Sequence, residues 1–193
     1  MNTGDWQNFD PERDQAVPAA VHGWVGLETS MTAAVGRAAD GPITVTVRRQ
    51  EDGPLYDDEA GFFPEGGPAT LREVCLGHAG EPLLLARTVF TSNILRTHPS
   101  IVGLGNRPLG SLLFAGERPS PYTARQFCLI RSGAPLDPLI RWRHDGPGPG
   151  LWARRTLFVL FDAPLLVTEI LLPALLAKPG AQAALVEHPT DSN

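Results

Sequence analysis

The run TLFVLFDAPLLVTEILLPALL, residues 156–176, decides the architecture. Its length would suit a membrane-spanning helix, but Asp162-Ala163-Pro164 interrupts it, and Glu169 and Pro173 follow. Proline breaks a helix, and an Asp-Ala-Pro break between two apolar runs marks a turn. The halves TLFVLF and PLLVTEILL are each of strand length and apolar on both faces. Strands of that kind lie in the middle of a sheet covered on both sides, so no membrane span is read. Glu169 stands out among Leu, Val and Ile, because burying a carboxylate is costly unless something pairs with it or uses it.

Working outward, strands are predicted over 151–161 and 164–172, over 122–131, and over 70–77 and 82–90, which flank the hairpin signal HAGE. A further strand is predicted over 43–50, where Ile43, Val45 and Val47 alternate. Residues 18–41 read as two short helices, with Thr29-Ser30 at the break, where a hydroxyl caps the second, and Gly41 after its end. Residues 92–116 read as short helical pieces broken by Pro and Gly. The stretches 51–68 and 132–150 are Gly/Pro-rich connections, long enough to be lids or variable insertions. Six strands joined mostly by hairpins, with clustered helices, make an α+β domain on an antiparallel sheet. The expected organisation is a flexible arm over 1–17, one domain over 18–177, and a polar tail over 178–193.

Composition narrows the function. The 193 residues, 42% of them apolar and 19% charged, suit one globular domain with a genuine core. A formal net charge of −5 argues against nucleic acid, whose phosphates need a basic surface. The basic residues are almost all arginine, so an anion site here is built from guanidinium groups, which grip carboxylates in a planar, bidentate way. Cys75 and Cys128 lie far apart in apolar runs and read as free buried thiols. The polar, acidic N-terminus is no signal peptide, and a cytoplasmic monomer is expected. The five histidines show no metal spacing, and no P-loop, GxSxG or zinc pattern is present.

The charges placed on predicted strands carry the functional reading. Arg72 shares a face with Val74 and Leu76, and Arg87 with Leu83 and Leu85. A hairpin symmetric about Ala79-Gly80 sets Arg72 directly opposite Arg87. Two facing arginines on an apolar sheet repel unless an anion or a buried acid lies between them, and Glu169 is the best internal candidate. Glu73 points away from them. A buried Arg–Glu pair is often architecture alone. RRQED at 48–52 and RWRH at 141–144 read as solvated surface. GLGNRPLG at 103–110 follows no strand but offers backbone N–H groups to an anion.

The residues that carry this argument also carry a resemblance. GLETSMTAAV (26–35), TLREVCLGHAGEPLLLARTVF (70–90), RPLGSLLF (107–114) and LWARRTLFVLFDAPLLVTEILLPA (151–174) resemble, in order, the motifs of the chorismate lyase family. The resemblance implies a six-stranded antiparallel sheet with helical lids over an internal cavity. It implies conversion of chorismate to 4-hydroxybenzoate and pyruvate, the committing step toward ubiquinone, with no metal or organic cofactor. The family's ligand contacts fall on Met31, Arg72, Leu109 and Glu169. On that basis Arg72 takes the ring carboxylate, helped by the amides of Met31 and Leu109. Glu169 meets the 4-hydroxyl and acts as base or positioning group. The hairpin register makes Arg87 a contact for the enolpyruvyl carboxylate or a support behind the site. Two other readings stay open: a non-catalytic ligand-binding module of the same fold, and a lyase giving another hydroxybenzoate isomer.

Overall fold

The computed structural model describes residues 3–10, 17–64, 66–91, 94–95, 99–114, 122–160 and 163–185. Among them, seven strands form one antiparallel sheet: β1 (Gln7–Asn8), β2 (Thr44–Gly53), β3 (Ala69–His78), β4 (Glu81–Thr91), β5 (Tyr122–Ile130), β6 (Leu151–Leu160) and β7 (Ala163–Leu171). They lie side by side in the order β1-β5-β6-β7-β4-β3-β2. The two strands of the opening run are neighbours, with Leu160 opposite Ala163, and β7 lies centrally against β4. The turn residues 161–162 lie outside the described residues.

The sheet is covered on both faces, as its apolar central strands require. On one face lie α1 (Ala19–Gly26) and α2 (Met31–Ala39). Trp24, Val25, Ala34 and Val35 pack there against Val74, Leu76, Leu84 and Leu171. Ser30 caps α2, its hydroxyl accepting from the Ala33 amide at 3.3 Å, and Asp40 ends the helix in the left-handed region. The one-turn helices Pro99–Val102 and Gly110–Leu113 extend this cover, with Ile101 and Leu113 packed against Phe90, Phe158 and Val167.

The opposite face is covered by the two stretches read from sequence as connections. The first holds α3 (Asp57–Ala60) and sets Phe63 on Leu71, Val89 and Leu166. The second holds the helix Asp137–Arg141 and sets Leu136, Leu139 and Ile140 on Leu85, Leu151 and Ile170. A single helical turn shows no periodicity in sequence and is stabilised by what it packs on.

Both chain ends depart from the expected organisation. The seventh strand, β1, comes from the segment read as a free arm: Gln7 pairs with Phe127 and Asn8 with Gln126. Thr3 donates to Asp58 through its amide (2.9 Å) and hydroxyl (2.6 Å). Asp58 in turn accepts from Arg155 at 2.8 Å, whose guanidinium lies between the Trp6 and Phe62 rings. Two residues are too few to show strand alternation, so the pairing was invisible in sequence. At the other end, residues 178–185 of the expected polar tail pack back on the domain. Ala181 and Ala184 are buried, and Arg37 donates to the Ala184 carbonyl at 3.0 and 2.8 Å. Residues 1–2, 11–16 and 186–193 of the expected arm and tail lie outside the described residues.

The β3–β4 hairpin turns at Ala79-Gly80 as expected, but its register does not hold. His78 pairs with Glu81 and Gly77 with Pro82, and then Leu76 pairs with Leu84, so Leu83 is an extra residue, a β-bulge. A Cβ on Gly77 would stand 2.7 Å from the Glu81 carbonyl, so the tight end of the hairpin requires glycine there. Beyond the bulge every partner is displaced by one: Arg72 faces Thr88, and Arg87 faces Glu73. Ala79 takes φ of 48° and Gly80 φ of 83°, the two left-handed positions of a tight hairpin turn. Asparagine tolerates that conformation better than alanine, so Ala79→Asn is expected to stabilise by about 0.5–1 kcal/mol, raising the thermal midpoint by about 1–4 °C in a melting experiment.

Candidate active site

A cavity opens between the sheet and its α1–α2 side. Its floor is one face of four adjacent strands: Arg72, Val74 and Leu76 from β3, Leu84, Ala86 and Thr88 from β4, Val167 and Glu169 from β7, and Arg154 and Phe158 from β6. The period-2 alternation of strands puts these residues together. The roof comes from Met31 and Thr32 at the start of α2, and from Pro108, Leu109, Gly110 and Phe114. The two roof segments nearly touch: a Cβ on Gly110 would lie 3.0 Å from the Ser30 hydroxyl. Met31 opens α2, where amides have no partner within the helix, and Leu109 immediately precedes Gly110–Leu113.

The four residues that the motifs single out, Met31, Arg72, Leu109 and Glu169, all line this one cavity. Arg72 is 2% exposed. Its guanidinium donates to the Gln50 side-chain oxygen (2.8 Å) and to the carbonyls of Gly105 (2.9 Å) and Arg107 (3.1 Å). The 103–110 stretch thus contributes carbonyls that hold Arg72. All three acceptors are neutral, and Arg72 has no acidic partner among the described residues. Burial without a countercharge pulls its pKa below the usual arginine value. Arginine nonetheless keeps its proton, so the cavity floor carries a positive charge held only by neutral acceptors.

Glu169 is not the acid between two arginines that the sequence suggested. It lies opposite Arg154 on β6, whose Nε donates to Glu169 Oε2 at 2.6 Å. The second nitrogen of Arg154, Nη1, donates to the Trp24 carbonyl (3.2 Å) and the Leu27 carbonyl (2.7 Å), at the end of α1. Glu169 Oε1 makes no hydrogen bond among the described residues. Arg154 was missed by the sequence reading. The signal was there: closing the β6–β7 hairpin at Leu160 and Ala163 places Arg154, in the LWARR motif, directly across from Glu169.

Arg87 is not a cavity residue. The bulge at Leu83 turns it to the opposite face, where it is 1% exposed. It donates to Glu59 through Nε (2.8 Å) and Nη2 (2.9 Å) and to Glu73 through Nη1 (3.1 Å), with its guanidinium over the Tyr56 ring. Burial opposes its charge, but the Glu59 pair outweighs burial and holds the Arg87 pKa above its ordinary value. Glu73 points away from Arg72 but bonds Arg87. Arg48 and Arg49, read as solvated surface, also pair with Glu73. Burial pushes the Glu73 carboxyl up, and these guanidinium groups, Arg49 foremost, hold it below the ordinary carboxylate range.

The positions of Arg72 and Glu169 follow from sheet register. Arg72 faces Thr88, Thr88 faces Val167, and Glu169 stands two residues further along β7. At ordinary strand spacing this separates their Cα atoms by about 12 Å, with both side chains pointing into the same space.

The chain is similar to known proteins in both sequence and fold. The sequence profile of the family described as chorismate lyase matches residues 1–180. A protein of Methylococcus capsulatus named "Probable chorismate pyruvate-lyase" is 34% identical over 159 residues, 81% of this chain and 96% of that protein. The "Chorismate pyruvate-lyase" of Hamiltonella defensa is 31% identical over 173 residues, 88% of this chain and 86% of that protein. In fold, the effector domain of PhnF from Mycobacterium smegmatis is similar, with a TM-score of 0.51 over 76% of this chain and 92% of that domain at 11% identity. The chain belongs to the chorismate lyase family.

Proposed function

We propose that this chain is a cytoplasmic lyase that converts chorismate into 4-hydroxybenzoate and pyruvate, supplying ubiquinone synthesis. The observation that carries the reading is the pair Arg72 and Glu169, which line one cavity without bonding each other. In the reaction the C4–H proton leaves, its electron pair completes the aromatic ring, and the C3–O bond breaks. The departing enolpyruvate takes up a proton to become pyruvate. Aromatisation supplies much of the driving force, so the protein needs mainly to orient the dianion, exclude water and move one proton.

Arg72 takes the ring carboxylate, with the amides of Met31 and Leu109 as further donors from the roof. C4 is para to that carboxylate, so its hydroxyl reaches the far end of the cavity. There the free Oε1 of Glu169 accepts from the 4-hydroxyl and lies beside the carbon that loses its proton. The α1–α2 junction and the 107–114 segment act as lids. Lids that exclude water also retain product, so progress curves should bend as 4-hydroxybenzoate accumulates above the enzyme concentration.

The test is to incubate the purified protein with chorismate and identify both products. Equal amounts of pyruvate and 4-hydroxybenzoate are expected. A binding module of this fold yields no pyruvate, and a variant lyase yields pyruvate with another hydroxybenzoate isomer. Glu169→Gln keeps the shape and removes the charge, and is expected to lower kcat by about 100-fold or more, the usual scale for a positioned acid–base group. Unchanged kcat in that variant would remove Glu169 from the chemistry.

A further inference from the structure

We infer that Arg154 is the residue that receives the second carboxylate of the substrate, the one on the enolpyruvyl group. This rests on the chorismate reading above. Chorismate carries two carboxylates and the product only one. With Arg87 on the far face, the cavity floor offers two guanidinium groups, Arg72 and Arg154. Arg72 and the Met31 and Leu109 amides serve the ring carboxylate, which leaves the other anion to be matched.

The ring of the substrate fixes where that anion falls. C3, which bears the enolpyruvyl ether, is bonded to C4, which bears the hydroxyl held by Glu169. A group that serves the C3 substituent must therefore stand beside Glu169. Arg154 is its direct cross-strand partner, 2.6 Å away through Nε. Arg154 is 2% exposed, and Nε and Nη1 are committed to Glu169 and to the Trp24 and Leu27 carbonyls. Nη2 has no hydrogen-bond partner among the described residues, and the side chain lines the cavity. One guanidinium thus holds Glu169 in place, fastens the end of α1 and keeps a donor for the substrate. Planar arginine serves three directions at once, where the single ammonium of lysine does not.

This role separates substrate from product. The product lacks the carboxylate that Arg154 recognises, so loss of Arg154 must weaken chorismate binding and spare 4-hydroxybenzoate. The experiment measures chorismate KM and the inhibition constant of 4-hydroxybenzoate for wild type, Arg154→Lys, Arg154→Gln, Glu169→Gln and Arg154→Gln/Glu169→Gln. Arg154→Gln is expected to raise chorismate KM by about 10- to 100-fold, the worth of a charge-assisted bond, while the product constant moves by less than about threefold. Arg154→Lys should fall between. If the unpaired Glu169 of Arg154→Gln prevents folding, the double variant compared with Glu169→Gln shows the same ratio without a stranded carboxylate. Equal weakening of substrate and product, or of neither, overturns the inference and leaves Arg154 as a brace for Glu169 and α1. Failure of the underlying reading looks different: wild type releases no pyruvate, or Glu169→Gln keeps full kcat.

Discussion

Arg72→Ala is expected to lower kcat/KM for chorismate by about 100- to 1000-fold while leaving the thermal midpoint within a few degrees of wild type. The magnitude is that of losing a charge-assisted hold on a carboxylate in a dry site, about 3–4 kcal/mol where each such bond is worth about 1.5–3 kcal/mol. The ring carboxylate is common to substrate and product, so affinity for 4-hydroxybenzoate should fall in step. Stability behaves differently, because Arg72 is a buried cation whose acceptors, Gln50 and the Gly105 and Arg107 carbonyls, are all neutral. Removing it strands those acceptors, a cost of about 1–3 kcal/mol, but it also relieves an uncompensated buried charge. Arg72→Lys keeps the charge and loses the fork, and should retain more activity than alanine. Steady-state kinetics, product titration and a melting curve on the same preparations check all three points. A large fall in melting temperature with wild-type kinetics per folded molecule would make Arg72 a structural residue.

Arg87→Ala is expected to do the reverse. Its removal leaves Glu59, itself 1% exposed, without its guanidinium partner and takes one of three arginines from Glu73. Breaking a buried pair from one side costs about 3–5 kcal/mol, since the remaining charge has no water to turn to. For a chain of this size that corresponds to a fall in melting temperature of roughly 6–20 °C. Chorismate KM per folded molecule should stay within about threefold, because Arg87 does not reach the cavity. Replacing Arg87 and Glu59 together by apolar residues of similar size should recover much of the loss. Raised KM with an unchanged melting curve would restore Arg87 to the ligand.

These two arginines also mark how far the sequence could be read. The alternation in 43–50, the hairpin signal between 70–77 and 82–90, and the broken apolar run at 156–176 made the larger strands and the antiparallel character of the sheet legible, though not the order of the strands. Arg72 and Glu169 could be placed on the inner face because a strand shows its faces to the reader. Arg87 could not, since a hairpin register counted from the turn assumes a regular ladder, and Leu83 is one residue too many. Arg154 lay in a quoted motif, yet its role needed the pairing across β6 and β7 rather than the motif itself. β1, α3 and the helix Asp137–Arg141 are too short to carry a period, and the neighbours that hold them are remote in sequence.

The bulge has a wider bearing. Because Leu83 bulges out of the ladder, Arg72 and Arg87 of one hairpin point to opposite sides, one into the cavity and one into the ion-pair cluster beneath the sheet. Were Leu83 to pair with Leu76 instead of bulging out of the ladder, the rest of β4 would slip by one residue, presenting Leu85 and Arg87 where Ala86 and Thr88 now stand, with no amino acid altered. Whether the 77–83 corner bulges or runs straight therefore decides which arginine a reader counting from the turn would assign to the cavity.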